Sequence, residues 1–165
     1  MGRYRQPQKP GSKYITPAGY QRLAEELDHL WFGLRPEVTK AVSAAAAEGD
    51  RSENAEYIYR KKQLREIDSR VRFLRKRLEG MKVVSEKPAN KDKVFFAAWV
   101  MVEDDEGNEQ RYRIVGPDEF DRHENYISMD SPVAKALLGK NLDDEIEVEL
   151  PGGKKDLLIV AIDYE

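Results

Sequence analysis

Few residues in this 165-residue chain are of types that do chemistry at spacings that allow it. There are no cysteines, so disulfides, thiolate metal sites, iron–sulfur clusters and cysteine nucleophiles are all excluded. The two histidines, His29 in a helical stretch and His123 in an acidic loop, read as surface or seam residues. No phosphate-cradling glycine pattern and no H-E-x-x-H spacing occurs. The exception is the run from Glu48 to Tyr57, in which Asp50 and Glu53 stand three apart. One reading is a D-x-x-E capping box, with Asp50 as N-cap and Glu53 answering at the third helical position. The other places two carboxylates on one side of an exposed turn, as hard oxygen ligands suited to Mg²⁺. Two carboxylates are too few to hold Mg²⁺ alone. The metal reading therefore expects no ion bound by the isolated chain and a partner that supplies the remaining ligands.

The flanking sequence explains how such a turn is presented. Thr16-Pro17 opens a helix, with Thr as cap and Pro where a missing N–H costs nothing. Leu23, Leu27, Leu30, Leu34, Val38 and Val42 then recur at helical spacing, Pro36 falls within the pattern as a candidate bend, and Gly49 supplies the stop. Tyr57, Leu64, Ile67, Val71, Leu74, Leu78 and Met81 follow on a and d positions, with Arg60 the polar interruption. Two helices of about 32 and 30 residues, roughly 45 to 48 Å each, joined by a short link predict an antiparallel coiled-coil hairpin. Its tip lies near residues 48–53, and it is expected to project as a rod.

The predicted organisation is α+β: a disordered basic tail over 1–13, the helical hairpin over 14–84, a linker over 85–93 and a small antiparallel-sheet domain over 94–165. In that domain Val94 to Val102 and Gln110 to Val115 read as a strand hairpin around Asp104-Asp105-Glu106-Gly107. Tyr126 to Met129 is a short strand, Ser131-Pro132 caps a helix to about Leu138, and Glu145 to Leu150 turns through Pro151-Gly152-Gly153 into Leu157 to Ile162.

Charged residues make up 36% of the chain, above the about 25% of an average protein, which argues for much solvated surface. Residues 1–82 hold 18 Lys/Arg against 11 Asp/Glu, and residues 83–165 hold 10 against 20. The basic half points to an anionic partner, most often nucleic acid. The longest apolar run, Val94 to Val102, falls far short of the roughly 20 residues of a membrane helix, and a cytoplasmic location is expected.

The segment GDRSENAEYIYRKKQLREID, the preceding ELDHLWFGLRPEVTKAVSAAAAEGD and the later RYRIVGPDEFDRHENYISMDSPVAKALLGK together resemble the bacterial Gre transcript-cleavage factors, of the GreB type. The likeness runs from about Tyr14 to the C-terminus, and the basic tail is the departure from it. The resemblance implies an elongation factor that enters the secondary channel of bacterial RNA polymerase when the RNA 3′ end has been extruded. Asp50 and Glu53 would then share a Mg²⁺ with the polymerase active site, and the polymerase would cut its own transcript, so the chain is no autonomous nuclease. It implies RNA contact by a basic patch here formed by Arg60, Lys61, Lys62 and Arg65. It also implies an FKBP-like C-terminal domain whose Asp130, Ser131 and Pro132 bind polymerase, and a monomer. For Ser131-Pro132 an ordinary helix cap competes with that role. Two other functions compete with transcript cleavage: a non-catalytic regulator or inhibitor in the same channel, and a coiled-coil adaptor for which tip charge is irrelevant.

Overall fold

The computed structural model describes residues 11–49 and 54–164. Asp50, Arg51, Ser52 and Glu53 therefore lie outside the described residues, as do Met1 to Pro10 of the predicted tail. The described residues fall into two compact units. Ala18–Met81 form one, and Lys82 onward, with the N-terminal residues up to Pro17, form the other.

The helical unit has two arms. The first comprises α1 (Pro17–Asp28), a π-helical segment (His29–Leu34) and α2 (Arg35–Ala47); the second is α3 (Ala55–Glu79). Val38, Ile67 and Val71 are buried between the arms, with Leu27, Leu30, Leu34, Val42 and Leu64 packed around them as their spacing predicts. Cross-arm contacts run in opposite directions along the two arms, from Ala45 with Asn54, through Arg35 with Asp68, to Glu26 with Arg70, so the arms are antiparallel.

The π segment is more than the bend expected at Pro36. Proline has no N–H and its ring crowds the carbonyl four residues back, here that of Phe32. One wide turn relieves the clash, and the Arg35 N–H reaches back five residues to the Leu30 carbonyl. A widened turn also suits an apolar row at successive spacings of four (Leu30, Leu34, Val38, Val42), and it adds Trp31 to the seam. At the far end the chain leaves α2 through Glu48, and Gly49 adopts φ 147°, a conformation closed to most side chains.

The second unit holds β1 (Tyr14–Ile15), β2 (Lys82–Val83), β3 (Trp99–Glu103), β4 (Glu109–Val115), β5 (Tyr126–Ser128), α4 (Pro132–Leu137), β6 (Glu145–Leu150) and β7 (Gly153–Asp163). Five strands form one sheet in the order β5-β4-β3-β7-β6, and Val100, Val102, Ile114, Val148 and Ile159 bury their side chains with Ala134 and Leu137 of α4. Ile114 is buried, while Arg111 is exposed with its guanidinium over Trp99.

Three expectations need correction here. The sheet is mixed, because β4 and β5 pair in parallel; the ten-residue connection through a 3₁₀ turn (Phe120–Arg122) brings the chain back alongside Arg113 to Val115, the last residues of β4. The strand read from Val94 begins only at Trp99, since Ala97 adopts φ 70° and breaks the extended run. The end of the predicted tail is tied down: the Lys13 carbonyl accepts from the Lys82 N–H (2.8 Å), the Ile15 carbonyl from the Val84 N–H (3.0 Å), and β1 pairs in parallel with β2. Glu119 anchors the same segment, accepting from the Thr16 N–H (3.1 Å), the Thr16 hydroxyl and the Gly116 N–H (2.9 Å).

The turn between β3 and β4 is held by Asp104, which accepts from the Glu106 and Asn108 N–H groups. Those bonds, led by the one from Asn108 and joined by Lys155 at 3.1 Å, lower its pKa to about 2.

Candidate functional site

The acidic turn is framed by the last residues of α2 and the first of α3. The cap of α3 is Asn54, in extended backbone, whose Oδ1 accepts from the Tyr57 N–H at 3.1 Å. The capping role predicted for Asp50 therefore falls on Asn54, and α3 begins at Ala55. Asn is as good a cap as Asp, so capping preference alone does not separate the two, and a contact with the facing arm favours Asn54. Asn54 does a second thing, since its Nδ2 donates to the Ala45 carbonyl at 2.7 Å across the arms.

The basic cluster divides by environment. Arg60 is half-buried and committed to its own helix, with Nε on Glu56 at 2.8 Å and a terminal nitrogen on Gln63 at 3.1 Å. Lys61 is exposed, with its ammonium over the Tyr57 ring at 5.3 Å, and Arg65, four residues on, is exposed on the same helical row. Lys62 is exposed and lies 4.0 Å from Glu66. The structure brings Lys61 and Arg65 together as solvent-facing cations and turns Arg60 aside. Tyr57 is half-buried beneath Lys61, as its seam position predicts.

Asp130, Ser131 and Pro132 sit in the other unit at the start of α4. The Asp130 carboxylate accepts from the Ser12 N–H at 2.9 Å and from the Ser12 hydroxyl. Ser131 caps the helix, accepting from the Ala134 N–H at 3.2 Å, and Pro132 is exposed at its first position. His123 is exposed and stacked on Tyr126 at 5.0 Å, and His29 is exposed. Among the described residues no group of three or more His, Cys, Asp or Glu is placed to hold a metal ion. No described helix is long and apolar enough to cross a membrane.

The sequence profile described as "Transcription elongation factor, N-terminal" matches residues 13–83, and that described as "Transcription elongation factor, GreA/GreB, C-term" matches residues 89–164. The chain belongs to the GreA/GreB family. Among its relatives, "Transcription elongation factor GreB" of Pseudomonas aeruginosa is 61% identical over 99% of this chain and 98% of its own length. Proteins of the same name from Xanthomonas axonopodis pv. citri (56% identical, 99% and 98% covered) and Pasteurella multocida (60%, 93% and 98%) are similar to it throughout.

In this Gre chain the residues that sequence reasoning missed are those that tie segments together. Besides Asn54 they include Arg35, whose Nε meets Asp68 at 2.7 Å while its guanidinium lies 5.0 Å from the Trp31 ring, with Arg75 at 4.3 Å from the same ring. The ion pair raises the Arg35 pKa, chiefly through the hydrogen bond to Asp68. Arg70 grips Glu26 with two nitrogens, at 2.7 and 3.0 Å. The signal for both pairs was available: each sets opposite charges on facing arms of an antiparallel hairpin.

Proposed function

We propose that this chain is a transcript-cleavage factor that enters the secondary channel of bacterial RNA polymerase and stimulates hydrolysis of backtracked RNA by the polymerase itself. The observation that carries the reading is the cap of α3. Because Asn54 supplies it, helix capping no longer accounts for an aspartate at 50 and a glutamate at 53. Family membership and the names of relatives with matching length support the same conclusion.

The chemistry of the donor set fits Mg²⁺ as an incomplete site: two hard carboxylates three residues apart at the turn of a helical hairpin. Asp50 and Glu53 would provide oxygen ligands and orient the attacking water, with the other ligands coming from the polymerase. When bound, a second Mg²⁺ stabilises the attacking and leaving oxygens of the phosphodiester. If the two carboxylates raise occupancy of that site from about 1% to near saturation, the rate rises about a hundredfold, or ~2.7 kcal/mol. Lys61 and Arg65 would hold the phosphates of the extruded RNA. Asp130, Ser131 and Pro132 would contact the polymerase, with Pro132 the exposed member and Asp130 oriented by Ser12. The chain acts as a monomer in the cytoplasm, supplying groups to an activity that belongs to its partner.

The test is RNA cleavage in stalled, backtracked elongation complexes with the natural chain, Asp50→Asn and Glu53→Gln across a range of Mg²⁺. The expected outcome is release of 3′ fragments with the natural chain. The variants lose most of the stimulation while still competing for polymerase, and added Mg²⁺ partly restores them. Equal cleavage by both variants would reduce the acids to surface charge. Binding without cleavage by the natural chain would instead identify a channel regulator.

A further inference from the structure

Asn54 is placed to do more than start a helix. Its carboxamide has an acceptor and a donor on one carbon, and the two point into different arms: Oδ1 takes the Tyr57 N–H at 3.1 Å, and Nδ2 gives to the Ala45 carbonyl at 2.7 Å. Ala45 lies in the last turn of α2, where carbonyls lack helical partners, and its oxygen also accepts from the Glu48 N–H at 3.2 Å. The Asn54 carbonyl in turn accepts from the Ile58 N–H at 3.1 Å, which fixes the backbone of the residue that carries the strap. The ion pairs Arg35–Asp68 and Arg70–Glu26 lie further along the arms; Arg35, ten residues from Ala45, is about 15 Å away at 1.5 Å per residue. Asn54 thus ties the last turn of α2 to the first turn of α3, on either side of the sequence that contains the two acids.

We propose that Asn54 is a positioning residue for transcript cleavage, its carboxamide strapping the Ala45 carbonyl to the start of α3 so that Asp50 and Glu53 are delivered in one geometry. The inference rests on the reading of the tip acids given above and deepens it. Restricting the ends of a short loop removes conformations that its side chains would otherwise sample, and misplacing a catalytic group by about 1 Å can cost a hundredfold in rate. The strap needs a carboxamide. Aspartate and serine are about equal to asparagine as caps, so either should leave the start of α3 intact. A carboxylate has no proton to give the Ala45 carbonyl at neutral pH, and a serine hydroxyl is too short to serve both partners.

Asn54→Ser and Asn54→Asp in the full chain therefore separate strap from cap. Both variants are expected to compete for polymerase within about twofold of the natural chain and to keep its helical circular dichroism. Their maximal cleavage rate in backtracked complexes should fall about three- to tenfold, the range that the net free energy of one hydrogen bond spans. Because the strap acts through both acids, Asn54→Ser added to a variant carrying both Asp50→Asn and Glu53→Gln should lower the rate no further than that acid-free variant alone. Natural cleavage rates in both Asn54 variants, a loss matched by weaker binding or lower helicity, or a further loss when Asn54→Ser is added to the acid-free variant would each overturn the proposal. Asp50→Asn alone separates the two claims. Undiminished cleavage there removes the tip-acid reading, whereas a deficient Asp50→Asn beside fully active Asn54 variants removes the strap alone.

Discussion

Glu119 is a carboxylate only 3% exposed that no periodicity marks as special, yet three donors converge on it from Thr16 and Gly116, a hundred residues apart. One of its oxygens takes the N–H groups of Thr16 and Gly116, and the other takes the Thr16 hydroxyl. The backbone comes so close at this point that a Cβ on Gly116 would lie 2.2 Å from the Tyr14 carbonyl oxygen, so the knot admits only glycine there. Removing the carboxylate orphans buried backbone donors at about 1–3 kcal/mol each, so Glu119→Ala should destabilise this unit by about 2–4 kcal/mol. Glu119→Gln should cost only about 1 kcal/mol, because its amide oxygen can serve the two N–H groups while its NH₂ donates to the Thr16 hydroxyl oxygen. Denaturant unfolding in a Trp31→Phe background reads the effect cleanly, since Trp99 then reports from the unit that holds Glu119. Equal losses in the two variants would show that the charge, and not the set of accepted bonds, holds the segment.

Among the elements, legibility followed the range of the forces involved. The hairpin seam was legible because burial imposes a helical period on Leu27, Leu30, Leu34, Val38, Ile67 and Val71, and that period is written in the chain. The π segment was not, since Pro36 announces a disturbance without saying how the helix absorbs it. Two successive residues of good capping type, Asp50 and Asn54, are offered to a local rule, and the Ala45 carbonyl on the facing arm favours the second. The grip of Ser12 on Asp130 depends on a partner distant in sequence, and the parallel pairing of β5 on the path of the connection before it, neither of which periodicity encodes. For the site, the residue types at 50 and 53 were readable; the rest of the ligand set they imply belongs to another molecule. The Arg35–Asp68 pair shows what an unpredicted tie contributes. Both side chains are about a third exposed, so solvent screens them, and a double-mutant cycle of Arg35→Ala and Asp68→Ala should give a small favourable coupling that added salt weakens. Arg35→Lys should lose more than that pairing alone, because an ammonium does not stack flat on Trp31 as a guanidinium does. A coupling near zero in thermal unfolding would assign the pair to surface charge only.

At the scale of the whole molecule, the basic character first seen as a property of half the chain divides between residues 1–13, with four Lys/Arg and no acid, and one arm of the hairpin. α3 carries nine Lys/Arg and four Asp/Glu in its 25 residues, while Pro17–Ala47 of the other arm carries three and four. Part of that charge is spent internally: Arg60 on Glu56, Arg70 on Glu26. What remains toward solvent near the turn is led by Lys61 and Arg65, and it is these, more than Arg60, that can release counterions from a phosphate backbone. Each phosphate neutralised on a single strand contributes about 0.7 to the slope of log affinity against log salt. Replacing Lys61 and Arg65 together by alanine should therefore flatten the salt dependence of binding to backtracked complexes by about 1.4, relative to the same complexes lacking extruded RNA. Arg60→Ala should flatten it by less than half as much, since its guanidinium already has a carboxylate and an amide as partners. If Arg60→Ala instead has the larger effect, the guanidinium leaves Glu56 to meet RNA, and Arg60 belongs to the RNA-facing patch. An unchanged slope in both variants would remove RNA contact from this face of α3 altogether and leave its charge to the polymerase.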